Sequence, residues 1–191
     1  MLEEHPFIRR KLDALGLRLN SLALLRDEFE EVHYPKGKVI IKSGRIENQL
    51  YFISKGIARI YLQAVNRETT FCFCSEADII FSYNSYFTQT PGYENVELLE
   101  DSTLLRISCE KVKVLCEEDI GVANFFNRLI GEELVKTEER FIRSQSQTAT
   151  ERYYDLMNKH PGIIRRVQLG YIASYLGISQ VTLSRIRAKV R

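Results

Sequence analysis

Apolar positions along the chain change period twice. From residue 7 to 28 they recur at helical spacing in short pieces, with Leu12, Leu15, Leu22 and Leu25 among them. From Glu31 the spacing shortens to alternation. "VHYPKGKVIIKSGRIENQLYFISKGIARIYLQ", "TTFCFC", "ADIIF" and "STLLRIS" are short β-prone runs, broken at Pro35-Lys36-Gly37, Ser43-Gly44 and Ser54-Lys55-Gly56. Short strands at regular spacing as far as about residue 108 predict an antiparallel sandwich or barrel-like roll. Helical spacing then returns. Phe126, Ile130, Leu134 and Phe141 lie near one stripe of a long helix, broadened at its start by Phe125 and Leu129. Thr148-Ala-Thr-Glu151 has the spacing of a capping box and opens a further helix, stopped by "HPG" at 160–162. "IIRRVQ" reads as the link from this helix to the C-terminal segment. No internal repeat or low-complexity tract interrupts this order.

The last stretch, "YIASYLGISQVTLSRIRAKVR", holds two short helical patterns joined at Gly177. Ile172, Ala173 and Leu176 share one face of the first, and glycine suits the left-handed backbone that ends a helix. Ser179 stands at the N-cap position of the second, with Ile178 and Leu183 at the spacing of a hydrophobic staple. The pattern is that of a helix-turn-helix. In the second helix Leu183, Ile186 and Val190 form the buried stripe, and Val181, Ser184, Arg185 and Ala188 face away from it, with Gln180 at its start. Such a face suits a DNA major groove, where Arg185 can grip a guanine edge and Gln180 an adenine. Val181 and Ala188 are small enough for close approach. Ser179 and Thr182 fall at the helix N-terminus, which favours phosphate. The alternative reading is a solvated basic helix that closes a small bundle.

Charge separates these readings. Residues 140–191 hold ten Lys and Arg against two acids, a net +8, whereas the whole chain carries +2 and residues 1–139 therefore −6. A basic tail on an acidic body points to a polyanionic partner for the tail alone. Other classes are disfavoured. No apolar run approaches the ~18 residues of a membrane span, and "MLEEHPFIRR" lacks the layout of a secretion signal. The expectation is a cytoplasmic, reduced protein without a membrane partner. The four cysteines show no paired C-x-x-C spacing, and His5, His33 and His160 lie in three separate segments. No metal site, cofactor or catalytic fingerprint emerges, so an enzyme is not expected; a metal-binding cupin would need two histidines and a carboxylate on adjacent strands.

Over nearly its whole length the sequence resembles the Crp–Fnr family of bacterial transcription regulators. The stretches "YPKGKVIIKSG…NQLYFISKGIARIY" and "RVQLGYIASYLGISQVTLSRIRAKV" carry the likeness. The resemblance implies an α+β protein: an N-terminal antiparallel β-roll of double-stranded β-helix or jelly-roll type with flanking helices over residues 1–117, a long dimerisation helix over 118–146, and a helix-turn-helix DNA-binding domain over 147–191. A homodimer on a palindromic promoter site is the expected assembly, with half-sites ~34–36 Å apart. The alternative is a ligand-sensing roll whose C-terminal helices serve protein contacts. Gln180, Val181, Ser184 and Arg185 are the candidate base readers, and Ser179, Thr182, Arg187, Lys189, Arg165 and Arg166 the candidate phosphate contacts. The last two are expected to replace contacts of a β-hairpin wing, which the sequence lacks after the recognition helix.

The departures from the family concern the ligand. A cyclic-nucleotide pocket in the family uses a Gly-Glu segment and an Arg-Ser/Thr-Ala triplet. Counting back from Ile107-Ser108, the arginine position falls near Gly92, the next two on Tyr93 and Glu94, and the glutamate position near Tyr83. No Lys or Arg stands between Arg67 and Arg106, and a buried phosphate without a cation is costly. Weak or absent binding of cyclic AMP and cyclic GMP is expected. Tyr83, Tyr86, Gly92 and Tyr93 are candidates to line a pocket for an unknown effector, or form an ordinary surface. Cys72 and Cys74 share one strand face, either as small buried hydrophobes or as a redox or metal-binding pair.

Overall fold

The computed structural model describes residues 4–65 and 67–190, the last through its backbone alone, so the side chain of Val190 lies outside the described part. Two short helices, α1 (Pro6–Ala14) and α2 (Leu19–Arg26), open the chain and bury Ile8, Leu12, Leu22 and Leu25. Eight strands follow: β1 (Glu30–Tyr34), β2 (Val39–Ile41), β3 (Gln49–Lys55), β4 (Ala58–Ala64), β5 (Arg67–Cys74), β6 (Ile79–Ile80), β7 (Asn95–Leu98) and β8 (Ser102–Ser108). They form two four-stranded antiparallel sheets, in the orders β1-β8-β3-β6 and β2-β7-β4-β5.

The alternation of side chains across a strand divides the roll into two cores. Tyr51, Ile53 and Leu104 point between the sheets, where they meet Ile41, Cys72, Cys74, Val96 and Leu98. Leu50, Phe52, Leu105 and Ile107 point the other way, onto the helices. The unbroken apolar run of β3 follows from this, since both faces of that strand are buried. At Gly56 the chain turns with φ 126, and a Cβ there would collide with Ser102, so only glycine fits.

Ser108 caps α3 (Cys109–Glu118), and Asp119 caps α4 (Ile120–Ser146) by accepting from the Val122 amide at 2.8 Å. At 27 residues α4 is the longest helix, about 40 Å from end to end. Its first half buries Val122, Phe125, Phe126 and Leu129 in the core of its own roll. Leu134, Val135, Phe141 and Ile142 in its second half are exposed. The stripe predicted as one dimer surface is thus divided, with Phe126 in the core.

Helix α5 (Ala149–Lys159) carries the predicted capping box in full between Thr148 and Glu151. Of the stretch 163–168, expected to be a link, residues 163–166 instead belong to helix α6 (Pro161–Arg166). Pro161 ends one helix and begins the next, because at a first helical position its missing N–H is no loss. Helices α7 (Leu169–Leu176) and α8 (Gln180–Val190) complete the chain. A third core joins them to α5 and α6 through Tyr153, Leu156, Ile163, Ile172, Leu176, Leu183 and Ile186, and includes Ile57 and Leu99 of the roll. Among the described residues no helix is long and apolar enough to cross a membrane.

Candidate nucleic-acid interface and effector cavity

The turn between α7 and α8 is built as its residues require. Gly177 is left-handed at φ 68; the Ile178 amide donates to Ala173 O at 3.0 Å and the Gly177 amide to Ser174 O at 3.1 Å. These two bonds make a Schellman motif. Ser179 Oγ then accepts from the Thr182 amide at 3.1 Å and lies 3.0 Å from Thr182 Oγ1. With Leu183 and Ile186 buried, the geometry leaves Gln180, Val181, Thr182, Ser184, Arg185, Ala188 and Lys189 exposed on α8, with Arg187 half-buried. The Gln180 amide lies over Gly170 of α7, where a Cβ would stand 2.8 Å from Nε2. Arg185, Arg187, Lys189 and Arg165 have no carboxylate partner among the described residues.

Arg166 differs from its neighbour. Its guanidinium is bound by Glu76, with Nη2 at 2.7 Å from Oε1, and by Glu100. Both carboxylates belong to the roll, so Arg166 ties the C-terminal helices to the roll instead of facing solvent freely. Burial alone would raise the Glu76 carboxyl, but Arg166 and the Gly56 amide outweigh it and hold it below its ordinary value.

The docking of the C-terminal helices on the roll uses residues with no local sequence signal. Arg59 on β4 is buried, bound by Glu68 and Glu97, and stacked 4.0 Å from the ring centroids of both Tyr61 and Tyr171. Ser174 Oγ accepts from the Thr70 amide at 3.0 Å and donates to Glu68 O at 3.2 Å. Phe73 and Tyr175 lie 5.3 Å apart, centroid to centroid.

Between the roll, α4 and α7 lies a cavity of about 730 Å³, lined largely by apolar side chains that include Ile60, Phe81, Leu134 and Phe141. Of the four predicted pocket residues, Tyr83 and Tyr93 line it. Tyr86 packs on the helical core beneath, against Phe81 and Phe87 and under Lys113. Gly92 stands behind the wall, where a Cβ would lie 2.5 Å from Ser82 Oγ and 2.9 Å from Glu94 Oε1.

A cyclic phosphate does not fit this turn. The Glu94 side chain is buried, Oε2 accepts the Tyr93 amide at 3.0 Å, and Oε1 has no donor. An anion there would meet a carboxyl group where it needs a cation. Two guanidinium groups line the cavity away from this turn. Arg140 Nη1 on α4 donates to Cys72 Sγ at 3.3 Å and Nη2 to Thr137 Oγ1 at 2.8 Å, and Arg152 on α5 donates to Gln147 O and Leu176 O. The Cys74 thiol and then Arg140 lower the Cys72 thiol against the effect of burial, and the same pairing with burial raises Cys74 well above the ordinary thiol value. Among the described residues no three acidic, cysteine or histidine groups gather as a metal site.

Residues 31–119 match the family described as the cyclic nucleotide-binding domain. Over most of the chain the fold recurs in solved regulators at low identity. FixK2 from Bradyrhizobium japonicum is 18% identical with a TM-score of 0.74, and the match covers 85% of this chain and 84% of that one. A protein assigned to the Crp/Fnr family of transcriptional regulators from Eubacterium rectale is 20% identical with a TM-score of 0.72, covering 93% and 85%. The c-di-GMP-responsive global regulator CLP of Xanthomonas campestris is 14% identical with a TM-score of 0.71, covering 91% of each chain. Among curated proteins, none matches the chain.

Proposed function

From the premise that residues 31–119 belong to the cyclic nucleotide-binding domain family, inside a chain with the fold of the Crp–Fnr regulators, we propose that this protein is a DNA-binding transcription regulator that grips a palindromic site as a homodimer. The observation that carries the reading is the exposed face of α8. Val181, Ser184 and Arg185 are exposed there behind the Gly177 turn, and Arg185 has no carboxylate partner among the described residues. In this reading Gln180, Val181, Ser184 and Arg185 touch base edges, and Ser179, Thr182, Arg187, Lys189 and Arg165 hold phosphates. Residues 1–117 sense, 118–146 pair two copies through Leu134 and Phe141, and 147–191 read DNA. The cavity of about 730 Å³ is the effector site, for a ligand other than a cyclic nucleotide. The protein works in the cytoplasm and catalyses no reaction.

The test is selection of genomic fragments by the purified, ligand-free protein at ~150 mM salt against excess competitor DNA. Recovery of one palindromic motif, with affinity falling steeply as salt rises, is the expected result. Binding that ignores salt, or no DNA retained at any salt, would leave the C-terminal helices as a protein-contact module.

A further inference from the structure

β5 carries two thiols on its inward face, at Cys72 and Cys74, and both are buried free cysteines. They stand on a wall shared by two cavities, the large one and a smaller one of about 190 Å³. Arg140 comes across from α4 to place its guanidinium 3.3 Å from Cys72 Sγ, and no carboxylate pairs with that guanidinium among the described hydrogen bonds. Asp78 and Glu133 oppose that cation by raising both thiols, but each is itself paired with Lys136. A thiolate needs such a cation, an open approach and freedom from competing anions. Cys109 and Cys116 sit on α3 and accept no guanidinium hydrogen bond among the described residues; burial holds both above the ordinary thiol value, although Lys113 opposes it at Cys109.

We propose that Cys72 and Cys74 are a peroxide-reactive dithiol, in which Arg140 holds Cys72 as the attacking thiolate and Cys74 resolves the product. The Cys72 sulfur attacks the O–O bond of a hydroperoxide, which leaves as an alcohol, or as water from hydrogen peroxide, once a solvent proton is taken up. Cys72 becomes a sulfenic acid. The Cys74 thiol then displaces its hydroxyl, so that an S–S bond forms and water departs. The pair loses two electrons and the peroxide gains them. The apolar lining of the larger cavity favours an organic hydroperoxide over a charged oxidant.

The bridge has a mechanical consequence. Residues two apart on a strand have Cα atoms ~6.6 Å apart, at the long end of the span a disulfide accepts. Closure must draw β5 together around Phe73, whose ring packs on Tyr175 of α7. It also removes the thiolate that Arg140 holds. Oxidation therefore loosens the reader and the long helix at one point. The thiol chemistry stands without the DNA reading; only the effect on DNA affinity rests on it.

The experiment exposes the full chain, freed of dithiothreitol, to stoichiometric cumene hydroperoxide, and maps the products by peptide mass. The expected product lacks two hydrogen atoms and lies in the peptide with Cys72 and Cys74, and dithiothreitol restores it. Cys74→Ser should stop at a dimedone-trapped sulfenic acid on Cys72, and Cys72→Ser should give neither product. Arg140→Gln should slow Cys72 alkylation by iodoacetamide about tenfold at neutral pH and move its pH profile upward, with the circular dichroism spectrum unchanged. Equal reaction at Cys109 or Cys116, or an alkylation profile that Arg140→Gln leaves in place, would overturn the proposal. These arms need no DNA. Fragment binding by the oxidised and reduced forms is measured separately, so a failure there falls on the regulatory reading alone.

Discussion

The guanidinium of Arg59 lies 4.0 Å from the ring centroid of Tyr171, and this contact joins the interior of the roll to helix α7. Arg59 is only 3% exposed and is held by Glu68 and Glu97. Arg59→Met should cost about 3 kcal/mol, because it strands the half-buried Glu97 carboxylate. Tyr171→Leu keeps those ion pairs and should cost about 1–2 kcal/mol. Urea unfolding measures both, and hydrogen exchange should rise along β5 and α7 in the tyrosine variant. Small and equal losses would mean that the ring adds nothing to docking.

The base and phosphate roles proposed for α8 separate by sequence dependence. Arg185→Ala should weaken binding to the selected site by ~1–3 kcal/mol and relax one base position. Lys189→Ala should weaken every sequence alike and reduce the slope of log affinity against log salt by about one. Fluorescence anisotropy on a set of single-base variants distinguishes them. A Lys189 loss confined to one base pair would reassign that residue.

The two halves of α4 should respond differently to substitution. Leu134→Glu combined with Phe141→Glu removes exposed apolar surface and should yield a folded monomer by light scattering, with its unfolding midpoint little changed. Phe126→Ala should instead cost about 3–5 kcal/mol of fold stability, since Phe126 is buried in its own roll. Retention of a dimer by the double variant would place the pairing surface elsewhere.

Acid should release the Arg166 tether. The Glu76 carboxyl is held below its ordinary value of 4.5 in the fold. Its contribution is therefore full above the unfolded value and is lost as pH falls through the lower folded one. Thermal unfolding followed from about pH 5 to 3 should show a steeper loss in the natural protein than in Glu76→Gln, which has no such proton to take up. Parallel curves would show that the Glu76–Arg166 pair does not couple to stability.

Isothermal calorimetry with cyclic AMP and with cyclic GMP should give no micromolar binding, because Glu94 faces the turn where a phosphate would need a cation. Either nucleotide binding at micromolar affinity would show that another group, Arg140 foremost, supplies that charge.

Wherever the cause is local, the sequence determined the outcome. Gly177 and Ser179 set the turn before α8, Thr148 and Glu151 close their own capping box, and alternation placed Cys72 and Cys74 on one strand face; each rests on a backbone requirement within about four residues. The exposed face of α8 follows in the same way from the spacing of Leu183 and Ile186. Residues 161–166 escaped this logic because Pro161 signals a stop and a start equally. Contacts between distant segments were decided only by the tertiary structure. A helical stripe does not say which part of it covers its own core, so Phe126 and Leu134 read alike until the roll is packed beneath the first. Arg166 resembled Arg165 until Glu76 and Glu100 were brought beside it. Nothing near Arg59 or Arg140 marks either as special, because Tyr171 lies 112 positions beyond Arg59 and Cys72 lies 68 before Arg140. Charge and burial act through space, and chain folding alone sets those distances.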